Sequence, residues 1–100
     1  MKVVISADAR ADLQEIANYI AQDSKAAART FLRELQRKAH EIGDTPYGFP
    51  LIPRYETSGI RRRPFRNYLI FYVVEPDRIL IVNIFHAARD YIRILFGEEG

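Results

Sequence analysis

FRNYLIFYVVEPDRILIVNIF, residues 65–85, is the stretch of sequence that decides the fold. Residues 65–74 place apolar side chains on both alternating faces, which predicts a central β-strand that is covered on both sides. The Glu-Pro-Asp-Arg sequence at residues 75–78 is a turn signal, so we expect the next apolar run, residues 79–85, to form a hairpin with that strand. Residues 58–63 predict a further strand, and Pro64 behind it limits the pairing to a sheet edge or a bend. The sequence therefore predicts a three-stranded antiparallel meander.

Two helices are predicted upstream of the meander. A short β-branched run at residues 2–5 indicates a first strand, and Ser6 then suits a helix N-cap. Asp23 and Ser24 break the helical pattern, and Gly43 with the following Pro46 ends it. The apolar residues at helical spacing in the first helix are Ala9, Leu13, Ile16, Ala17 and Ile20. Those in the second helix are Ala28, Phe31, Leu32, Leu35, Ala39 and Ile42. Because the break is so short, the two helices are expected to form an antiparallel hairpin.

The remaining segments complete an α+β fold. Residues 44–56 contain three prolines among aromatic residues and predict an ordered loop. Residues 87–96 predict a short C-terminal helix that ends at Gly97. The expected architecture is an N-terminal strand, an antiparallel helical hairpin packed on an antiparallel sheet that ends in the meander, and the closing helix. A length of 100 residues indicates a single domain over residues 1–100.

Composition excludes several classes of protein. The hydrophobic content of 48% argues against disorder, and the absence of cysteine excludes disulfides and thiolate metal sites. With only two histidines, no metal site and no cofactor are expected. No apolar run approaches the ~18 residues of a membrane span, and MKVVISADAR at the N-terminus does not have the pattern of a secretory signal. We therefore expect a cytoplasmic protein without membrane contact.

The basic residues are strongly biased towards arginine. Twelve of the fifteen are arginine, and five of these lie within residues 54–66 together with a single acid, Glu56. Arg61 and Arg63 are expected to share one strand face and to bind carboxylates or phosphates through paired hydrogen bonds. The alternative is an edge strand protected by charge from aggregation, which is the interpretation we adopt for Arg62.

Four more residues are candidates for a binding role. Arg66 opens the central strand, where it either binds a partner or is simply solvated. His86 ends the last strand, where it either titrates near neutrality as an acid or base or holds the strand–helix corner by hydrogen bonds. Arg89 and Asp90 are expected in the first turn of the closing helix. Asp90 suits the helix dipole there, whereas a cation does not, so Arg89 is the stronger functional candidate.

Two segments resemble the ParE-type toxins of the RelE/ParE superfamily. ADLQEIANYIAQDSKAAARTFLREL, residues 11–35, is similar to their opening helical hairpin. GIRRRPFRNYLIFYVVEPDRILIVNIFHAARD, residues 59–90, is similar to their arginine strand, tyrosine-rich central strand and closing His-x-x-Arg-Asp. The resemblance covers essentially the whole chain. It implies a plasmid-stabilisation toxin of a type II toxin–antitoxin system, neutralised by a cognate antitoxin that is ParD-like or otherwise acidic.

The resemblance leaves the target open, because ParE-type toxins act on DNA gyrase whereas RelE-type toxins cut messenger RNA in the ribosome. RelE-type toxins carry an arginine after the leading tyrosine of the central strand, but here Leu69 follows Tyr68. Their basic cluster before the arginine strand is reduced here to Arg54. We therefore expect a gyrase inhibitor that catalyses nothing and meets nucleic acid only through its target.

Two alternatives remain beside that expectation. In one, the chain is a ribosome-dependent mRNA endonuclease of RelE type. In the other, it is a detoxified module that still binds antitoxin. The catalytic residues of the endonuclease alternative would be Arg61, Arg63, His86 and Tyr91. The residues expected to bind antitoxin or target are Arg61, Arg63, Arg66, His86, Arg89 and Asp90.

Overall fold

The computed structural model describes residues 1–97, so the last three residues of the predicted 1–100 domain lie outside it. In chain order, the elements are β1 Lys2–Ile5, α1 Ala7–Ala21, α2 Lys25–Glu41, β2 Ile60–Phe65, β3 Tyr68–Val74, β4 Arg78–His86 and α3 Tyr91–Phe96. This order confirms the α+β class, with its first strand, two helices, meander and closing helix.

The four strands form one sheet in the order β1-β4-β3-β2. β3 pairs antiparallel with both β2 and β4, which is the predicted meander. β1 pairs with β4 in parallel, from Lys2 opposite Arg78 to Ile5 opposite Ile81. The sheet is therefore mixed, and the antiparallel arrangement expected for all of it holds for the meander alone. The helices supply the crossover that a parallel pair requires.

α1 and α2 cover one face of the sheet, here called the α1/α2 face. Ser6 caps α1 by accepting a hydrogen bond from the Ala9 N–H, and Ser24 caps α2 by accepting one from the Ala27 N–H, both at 3.1 Å. The apolar stripes of α1 and α2 pack on every second residue of the strands, because successive strand side chains point to opposite faces. The buried residues of this core are Ala9, Leu13, Phe31, Leu35, Ala39, Ile42, Phe65, Ile70, Tyr72, Ile79, Ile81 and Ile84.

The second face of the sheet, here called the α3 face, has a smaller core. Its buried residues are Ile52, Phe71 and Phe85. The half-buried residues packed on them come from α3 and from the loop before β2, and include Tyr55, Tyr91, Ile92, Leu95 and Phe96. β3 is therefore covered on both sides, as its apolar sequence predicted.

The strand boundaries around Pro64 differ from the prediction. Pro64 lies inside β2, opposite Leu69, and the turn to β3 is the pair Arg66–Asn67. On the outer edge of β2, the Ile52 N–H donates to the Ile60 carbonyl and the Arg62 N–H to the Pro50 carbonyl, each at 3.1 Å. The backbone groups at position 64 point outward like those of Arg62, away from β3. The N–H that proline lacks would therefore not have bonded β3. The strand therefore continues past it.

The closing helix is shorter than predicted. It begins at Tyr91, and residues 87–90 form a turn in which the Arg89 N–H donates to the His86 carbonyl at 3.0 Å. Asp90 is the N-cap, since its carboxylate accepts a hydrogen bond from the Arg93 N–H at 3.3 Å. Arg89 and Asp90 thus precede the first turn of the helix and do not lie within it. The cap satisfies one of the free N–H groups that every helix start exposes.

Candidate functional site

Arg61 and Arg63 lie on the α1/α2 face of β2, where the loop before it covers them. The Arg61 guanidinium donates a 2.7 Å hydrogen bond to the Phe49 carbonyl and lies 5.1 Å from the centre of the Tyr47 ring. Arg63 lies 5.1 Å from the centre of the Phe49 ring and donates to the Pro64 carbonyl. Both side chains are half-buried. Their cations therefore hold the loop on the sheet edge, and only the part left exposed is available to a partner.

Arg62 points to the opposite face of the sheet. Its guanidinium donates to the hydroxyl of Tyr91, the first residue of α3. The Tyr91 ring lies 5.0 Å from the Phe71 ring in the core of the α3 face. Arg62 and Tyr91 thus fasten α3 to β2, a role that the sequence interpretation of Arg62 as a charged edge residue did not include.

The four residues of the endonuclease alternative are not brought together. Tyr91 lies on the α3 face, whereas Arg61 and Arg63 lie on the α1/α2 face. Arg61 is opposite Tyr72 and His86 is opposite Tyr68, so they are two strands apart and four residues apart along the strands. With ~4.8 Å between strands and ~3.3 Å per residue, their Cα atoms are roughly 16 Å apart. No single phosphate could contact all four side chains at once.

A groove of about 480 Å³ lies between α1 and the end of the meander, here called the α1–β4 groove. Asp12 and Glu15 of α1 line one wall, and His86 and Arg89 line the other. The apolar lining residues are Ile16, Tyr19, Tyr68, Ile84 and Phe85. The groove therefore combines an apolar floor with charges of opposite sign on its two walls, which is typical of a site that binds a specific ligand or peptide.

A β-bulge in β4 shapes this groove. Tyr72 is opposite Ile81 while Phe71 is opposite Asn83, which leaves Val82 as the extra residue. The Ser6 hydroxyl donates to the Val82 carbonyl at 3.1 Å. Because a bulge interrupts the ladder of backbone hydrogen bonds, partners from α1 and its cap replace those that the strands cannot supply.

Asp12 is the main tie between α1 and the bulge. Its Oδ2 atom accepts hydrogen bonds from the Ile84 N–H at 2.9 Å and from the Asn83 side chain at 3.0 Å. Asp12 is not among the residues of the apolar stripe by which the sequence predicts α1. No local sequence signal marks it, because its donors are more than seventy residues away.

His86 presents one side of its ring to the groove. Its Nδ1 atom accepts a hydrogen bond from the Ala88 N–H at 3.0 Å, so the neutral ring carries its proton on Nε2. The ring meets Tyr68 edge to face, with 5.3 Å between ring centres. In this arrangement, His86 offers a hydrogen-bond donor to a ligand and not the free acceptor that a general base requires.

Tyr68 keeps its proton at neutral pH. Burial raises the pKa of its hydroxyl above the usual value of 10.0, and the neighbouring Tyr19 raises it further. A Tyr68 phenolate is therefore not available as a base, and the side chain contributes packing and hydrogen bonding.

The other candidate residues fall into two groups. Arg89 is exposed at the rim of the groove, with its guanidinium 4.8 Å from the centre of the Phe85 ring. Arg66 forms an ion pair with Glu34 of α2 and adopts a positive φ of 54° in the turn between β2 and β3. Arg89 is thus open to an acidic partner, whereas Arg66 already has one.

Tyr19, which also lines the groove, is not among the candidate residues drawn from the sequence. Its side chain is 69% exposed. A large exposed aromatic next to an apolar groove is typical of a contact surface. Within residues 1–97, no group of three or more histidine or acidic residues is arranged to hold a metal ion, and no helix there is long and apolar enough to cross a membrane.

Solved structures of toxin–antitoxin systems share this fold. One is the chromosomal ParDE system from P. aeruginosa, with a TM-score of 0.73 and 18% identity over 86% of this chain and 95% of that chain. Another is the RelBE2 complex from Mycobacterium tuberculosis, with a TM-score of 0.62 and 18% identity over 85% of this chain and 95% of that chain. No curated protein matches the chain by sequence.

The family comparison is more specific than these structural similarities. Residues 3–91 match the family described as the ParE toxin of the type II toxin–antitoxin system ParDE. The match runs from β1 to the start of α3 and includes both the arginine strand and the α1–β4 groove. The chain therefore belongs to the ParE toxin family of type II toxin–antitoxin systems.

Proposed function

We propose that this toxin kills by binding DNA gyrase without catalysis, and that a cognate antitoxin neutralises it in the cytoplasm. The observation that carries the proposal is the separation of Arg61, Arg63, His86 and Tyr91. RNA cleavage needs cations and a proton acceptor around one scissile phosphate. Here, Tyr91 is on the far side of the sheet and Arg61 bonds a loop carbonyl. A surface on which these side chains are kept apart suits binding to a partner protein and does not suit RNA cleavage.

The α1–β4 groove is our proposed site for the antitoxin. Its floor offers apolar area to a partner side chain, and the exposed Tyr19 extends that area along α1. Arg89 and the His86 Nε2 donor supply the wall that an acidic, ParD-like segment would contact. Arg61, Arg63, Arg66 and Asp90 remain proposed contacts at the margins, and the exposed portions of the two strand arginines are the parts available.

The antitoxin site is tested by reversing one groove charge. Arg89→Glu should weaken antitoxin binding at least tenfold, because it places a carboxylate against the acidic partner. Arg93→Glu is the matched control, since Arg93 is also exposed but does not line the groove. Calorimetry with the cognate antitoxin gives both affinities. Equal affinities for the two variants would remove the groove from the proposal.

The target is tested in cells that express the chain without its antitoxin. Gyrase poisoning should induce a DNA-damage reporter before protein synthesis falls. Translation arrest with the reporter silent would instead support the mRNA endonuclease, and Arg61→Ala or His86→Ala should then abolish the arrest. Normal growth together with tight antitoxin binding would indicate a detoxified module.

A further inference from the structure

Three arginines form a line on the solvent face of α2. Arg29, Arg33 and Arg37 are spaced four residues apart, and all three are exposed. The buried residues of the same helix face the sheet, and they are Ala28, Phe31, Leu35 and Ala39. With 3.6 residues per turn, the three cations stack along one side of the helix, pointing away from the core.

These arginines are free of partners within residues 1–97, where none takes part in an ion pair or a side-chain hydrogen bond. The acids of α2 are engaged elsewhere, Glu34 with Arg66 and Glu41 with Lys38. Like charges four residues apart repel each other and weaken a helix. A line of three such charges without compensating acids therefore indicates a surface that meets an anionic partner.

The rest of this face limits what the partner is. The exposed residues beside the arginines are small or polar, namely Ala26, Thr30, Gln36 and His40, and Lys25, four residues before Arg29, is a further exposed cation. Within the described chain, α2 presents no exposed phenylalanine, tyrosine or tryptophan for stacking on unpaired bases and no large exposed apolar side chain to anchor a protein. At 1.5 Å per residue, the arginines lie ~6 Å apart over ~12 Å, so they offer a straight row of charge.

We propose that this face of α2 binds the phosphate backbone of duplex DNA. Guanidinium groups bind phosphate oxygens through paired hydrogen bonds, and neutralising the backbone releases condensed counterions. A duplex presents a continuous row of phosphates and needs neither stacking nor an apolar anchor. The binding is independent of DNA sequence, since these contacts reach no base edge. In this proposal the toxin contacts DNA directly, whereas the sequence predicted contact with nucleic acid only through the target protein. The proposal holds whether that target is gyrase or the ribosome.

The test is fluorescence anisotropy with the 100-residue chain and a labelled duplex of about 20 base pairs, at about 50 to 200 mM NaCl. Each phosphate contact contributes about −0.9 to the slope of log affinity against log salt, so the three arginines account for about −2.7. The variant Arg29→Gln/Arg33→Gln/Arg37→Gln should lose that part of the slope and bind at least ~10-fold more weakly at the lowest salt. Glutamine has a helix propensity close to that of arginine, so α2 should remain folded, which circular dichroism checks.

A matched control separates this surface from net charge. Lys2→Gln/Arg54→Gln/Arg93→Gln removes three charges that are also exposed and outside the ion pairs of residues 1–97. It should stay within about threefold of the unmodified chain, since these residues lie off the α2 face. Equal losses in the two triple variants would overturn the proposal in favour of diffuse attraction. Tighter binding to single-stranded DNA of the same length would also overturn it. Stronger competition by a polyglutamate peptide than by duplex DNA would overturn it too, because it would indicate an acidic protein partner.

Discussion

Replacing Asp12 with alanine would detach α1 from the bulge in β4. The Asp12 carboxylate accepts hydrogen bonds from the Ile84 N–H and from the Asn83 side chain. Ile84 is 2% exposed, so its N–H would lose its partner in a buried position at the floor of the α1–β4 groove, whereas half-buried Asn83 could turn towards water. An unsatisfied buried donor costs about 1 to 3 kcal/mol, and the second bond adds about 1 kcal/mol. We therefore expect Asp12→Ala to lower the free energy of unfolding by about 3 kcal/mol.

Urea unfolding monitored by circular dichroism measures that loss, and thermal unfolding should show a fall in Tm of about 15 °C for a chain of this size. Asp8→Ala is the control, because Asp8 is an exposed acid in the first turn of the same helix and contributes less than about 1 kcal/mol through the helix dipole. A double-mutant cycle with Asn83→Ala isolates the side-chain pair. If Asp12→Ala and Asp8→Ala destabilise the protein equally, the proposed tie between α1 and the bulge is wrong.

Two further predictions concern the core. Tyr72→Phe removes the 2.8 Å hydrogen bond to the Pro46 carbonyl and should cost about 1 kcal/mol at neutral pH. Burial raises the pKa of Tyr72 above 10.0, although the nearby Arg61 lowers it in part. As the pH rises above about 10, the tyrosine therefore loses its proton in the unfolded chain before it does so in the folded protein. This difference lowers the free energy of unfolding at alkaline pH. Urea titrations at neutral and alkaline pH should therefore show the gap between Tyr72→Phe and the unmodified chain narrowing, and a constant gap would contradict this. Gly43→Ala places a Cβ 2.3 Å from the Met1 carbonyl oxygen and should destabilise the fold by about 1 to 3 kcal/mol, and an unchanged Tm would show that β1 is not held there.

Much of the fold follows from local sequence signals. The Ser6 cap, the break at Asp23 and Ser24 and the apolar stripes predicted α1 and α2, and the apolar run in residues 65–74 predicted a strand covered on both sides. Two boundaries were misplaced for physical reasons. The backbone of Pro64 faces the outer edge of β2, so the proline does not end the strand. The turn between β2 and β3 has a positive φ at Arg66, and no glycine in the sequence indicated that turn. Residues 87–90 suit a helix by composition, but Asp90 caps a later start.

The candidate site was harder to predict because it depends on long-range contacts. The density of arginines at residues 61–63 marked a binding strand, yet their positions against the loop and α3 show that much of that charge holds the structure together. The Asp12 tie depends on donors in β4, and the parallel pairing of β1 has no local signal. The four-residue spacing of Arg29, Arg33 and Arg37 was visible in the sequence. The spacing alone did not predict a binding surface. The structure adds that the acids of α2 are paired with other residues, which leaves the three arginines without an ion pair among residues 1–97.

The central claim is that this toxin acts on gyrase by binding. Its most direct test is a supercoiling assay with purified gyrase, relaxed plasmid, ATP and increasing amounts of the toxin, with antitoxin added in a parallel series. We expect supercoiling to be lost at excess toxin and restored by antitoxin. Supercoiling that is unaffected at excess toxin, with messenger RNA cut by the same preparation on ribosomes, would contradict the claim.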